Sequence, residues 1–228
     1  KEKMKDDKEN KSAYIDTLMS IFDRTIQYFG QESYVLGLKG FELVLVDKNR
    51  SAEAIVYLKK SLDDQEKNSS VQAVYGYMRA MVNLEKFGEK SKADVLEAYA
   101  LVSEIIDFNI INETKATKHF IKYAVKIENL FTPYANCADL ITLFSKQFEN
   151  KVDDSIFLKR MAKLLSDKNC TDSDLFFTVS NRLYELDPSP SAAYQMAKMS
   201  ISKGRTADAI LFAKEAIEAE EDLYKKAK

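Results

Sequence analysis

The chain has 228 residues, of which 46% are hydrophobic and 31% are charged, and its formal net charge is -2. This composition is ordinary for a folded protein, and it provides no basic surface of the kind that nucleic-acid binding requires. No run approaches the roughly 18 apolar residues that would span a membrane. We therefore expect a self-contained folded protein that binds no nucleic acid and has no transmembrane segment.

The first residues, Lys1 to Lys11, alternate positive and negative charge and contain almost no apolar side chain. This pattern is typical of a frayed terminus or a solvated first turn. The chain starts with Lys1 and ends inside a helical pattern, so we expect it to be a piece of a longer protein. A signal peptide or a lipid anchor would then lie upstream.

Apolar residues recur at helical spacing along almost the whole sequence, whereas strand signals are nearly absent. One stripe runs from Ile15 to Phe29 and stops at Gly30, and a second helix is predicted from Ser33 to Val46. We predict an all-α fold of about eleven helices, a lone first helix followed by five antiparallel pairs. The later stripes begin at Ala54, Val74, Ala98, Phe120, Leu140, Phe157, Phe176, Ala193 and Ala209. Residues suited to helix N-caps precede several stripes, namely Ser69 or Ser70, Ser91, Asp153 or Asp154, and Thr171 with Asp174.

One segment of the sequence is repeated. Residues Asn49 to Leu62 align with Gly204 to Ile217, and five of the fourteen positions are identical. Unrelated amphipathic helices would share the apolar stripe, but they need not share the Arg-[Ser/Thr]-Ala-[Glu/Asp]-Ala entry, so we interpret the match as an internal repeat. The two positions that differ in kind are Leu58 against Ala213 and Lys60 against Glu215.

The last repeat, residues 190–221, contains two stripes that face each other across a short break at Gly204. This segment resembles a tetratricopeptide repeat, whose motif has small residues where Ala197, Ala209 and Ala216 stand and a glycine in the turn where Gly204 stands. The spacing between the second helices of successive predicted pairs also decreases along the chain, towards that family's period of about 34 residues.

The resemblance implies a right-handed α-α superhelix, formed as a single domain over residues 1–228. Two positions depart from the motif. Glu42 or Leu38, depending on the register, stands where a small residue is expected, and Glu221 replaces the usual closing proline. We therefore expect the middle repeats to be only repeat-like.

Residues that usually carry catalysis or metal binding are sparse. His119 is the only histidine, so no multi-histidine metal site can form, and a surface or half-buried position is the simpler interpretation. A nucleophilic pair of His119 with Cys137 or Cys170 has no support in the spacing, and no glycine-rich phosphate loop or CxxC motif is present. We expect a protein that is not an enzyme and that uses no cofactor and no metal.

Tetratricopeptide arrays bind other proteins, and their first helices line a concave groove that holds a peptide. The resemblance therefore implies a protein or peptide partner. Aligning the stripes of the predicted pairs projects the groove positions of the last pair onto the earlier ones. The candidate partner-binding residues are Lys39, Tyr75, Arg79, Tyr194 and Lys198. A tyrosine beside a cation suits peptide recognition, because the ring supplies contact area and the cation can meet a carboxylate. The alternative is that these are ordinary exposed helix residues.

Two segments, Ala135 to Leu140 and Asp167 to Leu175, look like helical-repeat proteins exported to the bacterial envelope. This similarity implies a periplasmic or envelope-anchored interaction scaffold. One alternative is a helical carbohydrate-binding or nutrient-uptake lipoprotein component, which the absence of Trp weakens because sugar sites commonly use flat indole rings. A second alternative is a cytoplasmic adaptor or co-chaperone.

The two cysteines, Cys137 and Cys170, are candidates for a disulfide bond. Cys137 stands at the start of one predicted helix and Cys170 just after the end of the next, and a short link from Asn150 to Asp153 makes these helices antiparallel. Both cysteines then lie at the same end of a hairpin, where their Cα atoms can approach the roughly 4.4 to 6.8 Å that a disulfide needs. The alternative is two buried free thiols that act as small hydrophobic side chains.

Overall fold

The computed structural model describes the backbone of residues 10–226 and the side chains of residues 10–218. Of the described residues, 83% are helical and none lies in a strand, which confirms the predicted all-α fold of eleven helices. The predicted frayed terminus, Lys1 to Lys11, lies outside the described residues except for its last two positions. The helices are α1 Lys11–Phe29, α2 Glu32–Val46, α3 Ser51–Gln65, α4 Val71–Lys86, α5 Lys92–Ile111, α6 Thr117–Phe131, α7 Cys137–Phe148, α8 Ser155–Asp167, α9 Asp174–Leu186, α10 Pro190–Ser202 and α11 Thr206–Lys226.

The helices form two compact units that are divided between Tyr134 and Ala135. In unit 1, α2 packs against α1, α3 and α4, and α4 packs in turn against α5 and α6. The first helices α2, α4 and α6 therefore lie side by side. In unit 2, which contains α7 to α11, each helix packs against the next along the chain. The division falls inside the third predicted pair, between α6 and α7.

Side-chain caps start several helices, three of them where the sequence predicts a cap. Ser91 and Asp94 form a complete capping box at α5, in which the Ser91 N–H donates to Oδ2 of Asp94 at 2.8 Å. The cap predicted at Thr171 is wrong, because α9 begins later and its first turn is capped by Ser173, whose Oγ accepts from the Phe176 N–H at 3.1 Å. The predicted caps that the structure confirms are Ser70, Ser91 and Asp154.

Glycines inside α2 and α4 let the helices α2, α3 and α4 approach each other closely. A Cβ placed on Gly40 would lie 2.5 Å from Cγ of Leu58 and 2.9 Å from the backbone O of Ala54, both on α3. A Cβ placed on Gly76 would lie 3.0 Å from Cδ2 of Leu58 and 3.1 Å from Cα of Phe41. Carbon atoms normally pack at about 3.5 to 4.0 Å. This packing of α2, α3 and α4 therefore requires glycine at both positions.

In unit 2, an apolar cluster holds the last hairpin, α10 and α11, against α9. Phe177 of α9 packs with Met196 of α10 and Phe212 of α11. Tyr184 packs edge-to-face on Phe212 with ring centroids 5.4 Å apart, and its hydroxyl donates to Oε2 of Glu215 at 2.7 Å. Burial, and secondly this hydrogen bond, raises the pKa of Tyr184 to about 12. One side of the hairpin is thus fixed on α9.

We expect Gly40→Ala to lower the free energy of unfolding by about 1 to 3 kcal/mol, because the added methyl meets both Leu58 and a backbone oxygen. Urea unfolding measures this change. Gly76→Ala, whose nearest contact would be 3.0 Å, should cost less. If packing at Gly40 were loose, alanine would instead stabilise the helix by up to about 1 kcal/mol.

We expect the capping box at α5 to add a pH-dependent part to the stability. Hydrogen bonds from the Ser91 hydroxyl and N–H lower the pKa of Asp94 from 3.8 to about 2. Because the folded pKa is below the unfolded value, the contribution is complete above about pH 4 and is lost as the pH falls towards 2. The difference in urea midpoint between wild type and Asp94→Asn should shrink over this range. Glu97→Gln removes an exposed carboxylate from the same helix and serves as the control.

Candidate functional site

Three aromatic rings form a continuous row across the first helices of unit 1. They are Phe41 on α2, Tyr75 on α4 and Tyr123 on α6, and all three are half-buried. The ring centroids of Phe41 and Tyr75 are 6.3 Å apart, and those of Tyr75 and Tyr123 are 5.2 Å apart, both in edge-to-face geometry. With Arg79 and Lys126, which contact these rings, they make up a surface that we call the aromatic–cation face.

The two cations of this face are held by the rings. Nη1 of Arg79 donates to the Tyr75 hydroxyl at 3.1 Å, and Nζ of Lys126 lies 4.5 Å from the ring centroid of Tyr123. A cation over a ring face is attracted by the ring quadrupole. Neither cation pairs with a carboxylate of the described residues. The Nε atom of Arg79 is buried, and none of the described residues accepts a hydrogen bond from it. The face therefore carries positive charge that those residues leave uncompensated.

This charge contrasts with the pairing seen elsewhere in unit 1. Lys118 and Lys122 precede Lys126 at four-residue steps, so three ammonium groups lie along one side of α6. All three are exposed, and none forms an ion pair with a described carboxylate. The cations of unit 1 that do form such pairs include Lys39, Arg50, Lys59, Lys60 and Lys90.

Lys39 lies away from the aromatic–cation face, although the sequence predicts it in the same groove as Tyr75 and Arg79. Its side chain is only 6% exposed, and its Nζ is 2.5 Å from Oδ1 of Asp23 on α1. The same ammonium lies 4.3 Å from the ring centroid of Tyr57 on α3. Because its charge is buried against α1 and α3, Lys39 is not available to a partner at the surface.

Tyr194 and Lys198 lie together on α10 of unit 2. Tyr194 is 57% exposed, and Nζ of Lys198 is 5.7 Å from the centroid of its ring. Lys198 also borders a groove of about 720 Å³ between α8, α9 and α10, whose apolar lining includes Phe176, Leu183 and Met196. The structure thus joins two of the predicted residues in each unit, Tyr75 with Arg79 and Tyr194 with Lys198.

The sequence alone does not identify Phe41, Tyr123 or Lys126 as site residues. Tyr123 stands three residues after Phe120, where the apolar stripe of α6 begins, so the spacing predicts it on the buried side of the helix. In the structure Phe120 is buried, whereas Tyr123 is half-buried and touches the neighbouring first helix. The signal that could have found it is the tyrosine followed by a cation within one helical turn, which occurs on α4 and again on α6.

The two cysteines lie where the sequence predicts them. Cys137 is the first residue of α7 and is half-buried, and Cys170 follows the end of α8 and is buried. Burial, and secondly a hydrogen bond with the Cys137 side chain, raises the pKa of Cys170 to about 12. Both are free thiols in this structure, so the disulfide stays a prediction.

His119, the only histidine of the sequence, is exposed on α6. In the part of the chain that the structure describes, no group of three or more His, Cys, Asp or Glu residues is placed to hold a metal ion. None of the described helices combines the length and the apolar character that crossing a bilayer requires.

The chain matches no protein-family model, and no curated protein matches it. The resemblance to tetratricopeptide repeats therefore rests on the residues of the last repeat. Ala197, Ala209 and Ala216 are all buried there, and Gly204 lies in the turn with a φ of 68°. The positive φ explains why the turn carries glycine.

Proposed function

We propose that this protein is a non-enzymatic interaction scaffold, similar in kind to tetratricopeptide-repeat proteins, and that unit 1 binds an acidic peptide segment of a partner on the aromatic–cation face. The observation that carries the proposal is the guanidinium of Arg79, which is half-buried between helices without a described carboxylate partner. A cation removed from water is costly unless it is paired. A carboxylate from a partner would supply the pair.

The arrangement of the face supports a peptide that combines acidic and apolar residues. A carboxylate at Arg79 would accept charge-assisted hydrogen bonds, which are about twice as strong as neutral ones. Tyr75, Tyr123 and Phe41 offer ring surface to an apolar side chain next to that carboxylate, and such rings lose little entropy on binding. Lys126 lies one helix further along and can meet a second acidic residue.

We expect a nine-residue peptide of alternating Asp and Leu to bind the full chain more tightly than the same peptide with Asn in place of Asp. Arg79→Glu or Lys126→Glu should weaken binding of the acidic peptide by at least about tenfold, or 1.4 kcal/mol, because each charge reversal replaces attraction by repulsion. Raising the salt concentration should weaken this binding as well. Fluorescence anisotropy of the labelled peptide measures all three effects.

Lys59→Glu is the matched control for this experiment. It makes the same change in net charge, but it lies on the second helix α3, where Lys59 pairs with Asp63. This variant should bind the acidic peptide almost as wild type does. Equal losses in Lys59→Glu and Arg79→Glu, or equal binding of the two peptides, would contradict a site on the aromatic–cation face.

We also propose that the scaffold works in the bacterial envelope with Cys137 and Cys170 joined by a disulfide. Oxidation would remove one proton and one electron from each thiol, and a disulfide-bearing oxidoreductase of that compartment would take up both electrons and both protons as its own disulfide is reduced to two thiols. The placement of Cys137 at the start of α7 and of Cys170 just after the end of α8 supports this pairing. On the chain-entropy model the bond would stabilise the fold by roughly 3 to 4 kcal/mol.

Counting thiols tests the bond. Protein matured in its native compartment and denatured without reductant should show no titratable thiol, and two after reduction. Cys137→Ser should show one thiol under both conditions. Two thiols without reductant would overturn the bond and would remove much of the case for an oxidising compartment.

A further inference from the structure

The described residues leave one apolar side of the last hairpin of unit 2 uncovered. On α10, Tyr194 and Ile201 are 57% and 69% exposed, and on α11, Ile210 and Ile217 are 54% and 61% exposed. The two residues of each helix are seven positions apart, which is close to two helical turns, so they lie along one side of that helix. We call these four side chains the end face.

The opposite side of the hairpin is already buried. Met196 and Phe212 pack with Phe177 of α9, and Glu215 accepts the hydrogen bond of Tyr184. A hairpin that only had to cover α9 would carry polar residues on its other side. The end face is therefore a second apolar side, and this calls for a second packing partner.

The internal repeat shows what covers these positions when another helix follows. Leu58 of α3 is fully buried and Leu62 is 3% exposed, because α2 and α4 both pack on α3. At the matching positions of unit 2, Ile210 and Ile217 are more than half exposed and Ala213 is half-buried. The corresponding residues are Ile55, Leu58 and Leu62 in α3, and Ile210, Ala213 and Ile217 in α11.

One difference within the repeat sets the size of side chain that the end face accepts. In unit 1, Leu58 fills the space opposite Gly76 of α4, where a Cβ would come within 3.0 Å. In unit 2, the smaller Ala213 lines a groove of about 650 Å³ together with Tyr194 and Ile217. A helix that covers the end face can therefore carry a large apolar residue where α4 carries Gly76.

The charges beside the end face indicate the chemistry of its partner. Lys198 lies between Tyr194 and Ile201 in sequence, and Lys214 lies between Ile210 and Ile217, so each lysine borders one edge. Both are exposed, and neither pairs with a carboxylate of the described residues. Two copies packed face to face would bring lysines against lysines, which opposes self-association. Acidic residues at the edges of a different helix would be attracted.

We propose that the end face binds an amphipathic α-helix of a partner protein, with a large apolar residue opposite Ala213 and acidic residues facing Lys198 and Lys214. This helix would take the place on α11 that α4 takes on α3. The binding mode is a helix laid along a hydrophobic groove, with anchors spaced three and four residues apart. It is separate from the aromatic–cation face, and either surface can fail without the other.

The probe is a 16-residue peptide with the α4 sequence, Val71–Lys86, carrying Gly76→Leu and, on either side of that position, Tyr75→Glu and Tyr77→Glu. The full chain is labelled at isoleucine methyl groups and titrated by NMR. We expect saturable shifts at Ile201, Ile210 and Ile217, and none at Ile15, which is buried in unit 1. A peptide that keeps Gly76 should bind at least about tenfold more weakly, because it leaves the groove at Ala213 unfilled.

Two variants of the chain separate binding from folding. Ile217→Asp should abolish the shifts. Lys214→Glu, at an exposed position, should weaken binding of the acidic peptide, but it should leave unchanged the binding of a peptide with Gln at the two acidic positions. The proposal is overturned by the absence of saturable shifts or by equal affinity for the Gly76 and Gly76→Leu peptides. Shifts that grow with protein concentration alone would assign the end face to a second copy instead.

Discussion

The close contact of α2, α3 and α4 at Gly40 and Gly76 determines what unit 1 presents on its surface. Gly76 lies directly after Tyr75 in sequence and packs on the backbone of Phe41. The short distance between these helix backbones therefore brings the two rings to a centroid separation of 6.3 Å. A side chain at either glycine would push the backbones apart and separate the rings. The aromatic–cation face thus depends on two residues that have no side chain to contribute to it.

The row of rings also explains how unit 1 holds unpaired cations. Arg79 and Lys126 are held at Tyr75 and Tyr123 by contacts that restrict their motion and leave their charge uncompensated. An ion pair would restrict them equally well, as it does for Lys39 with Asp23, but it would remove the capacity to bind an anion. Rings preorganise the cations for a carboxylate, and preorganisation lowers the entropy that binding must offset.

Most of the fold could be predicted from the sequence, because apolar spacing and caps are local signals. The stripe from Ile15 to Phe29 gives the position of α1, and Ser91 gives the start of α5. The candidate site could be predicted only in part. Lys39 is buried because α1 and α3 pack around it, and Tyr123 emerges because of the way α6 lies on α4. These outcomes depend on rotation and contact between helices, which the spacing within one helix does not specify.

The two copies of the internal repeat show how contacts between helices affect the sequence. Ala54 and Ala209, which occupy the same repeat position, are both buried, so the residue that packs within each pair is retained. The two positions that differ in kind contact different elements in the two copies. Lys60 pairs with Glu32 of α2 inside its own hairpin, whereas its counterpart Glu215 accepts from Tyr184 of the preceding hairpin.

Leu58 packs against α4, whereas its counterpart Ala213 lines an open groove. A repeated hairpin thus keeps its internal packing and changes at its borders, because each border must fit a different neighbour. By the same reasoning, the residues that select a partner for unit 2 are border residues of the last copy. Ala213 is the border position where that copy departs most in size from the first, and it lies in the groove beside Tyr194 and Ile217.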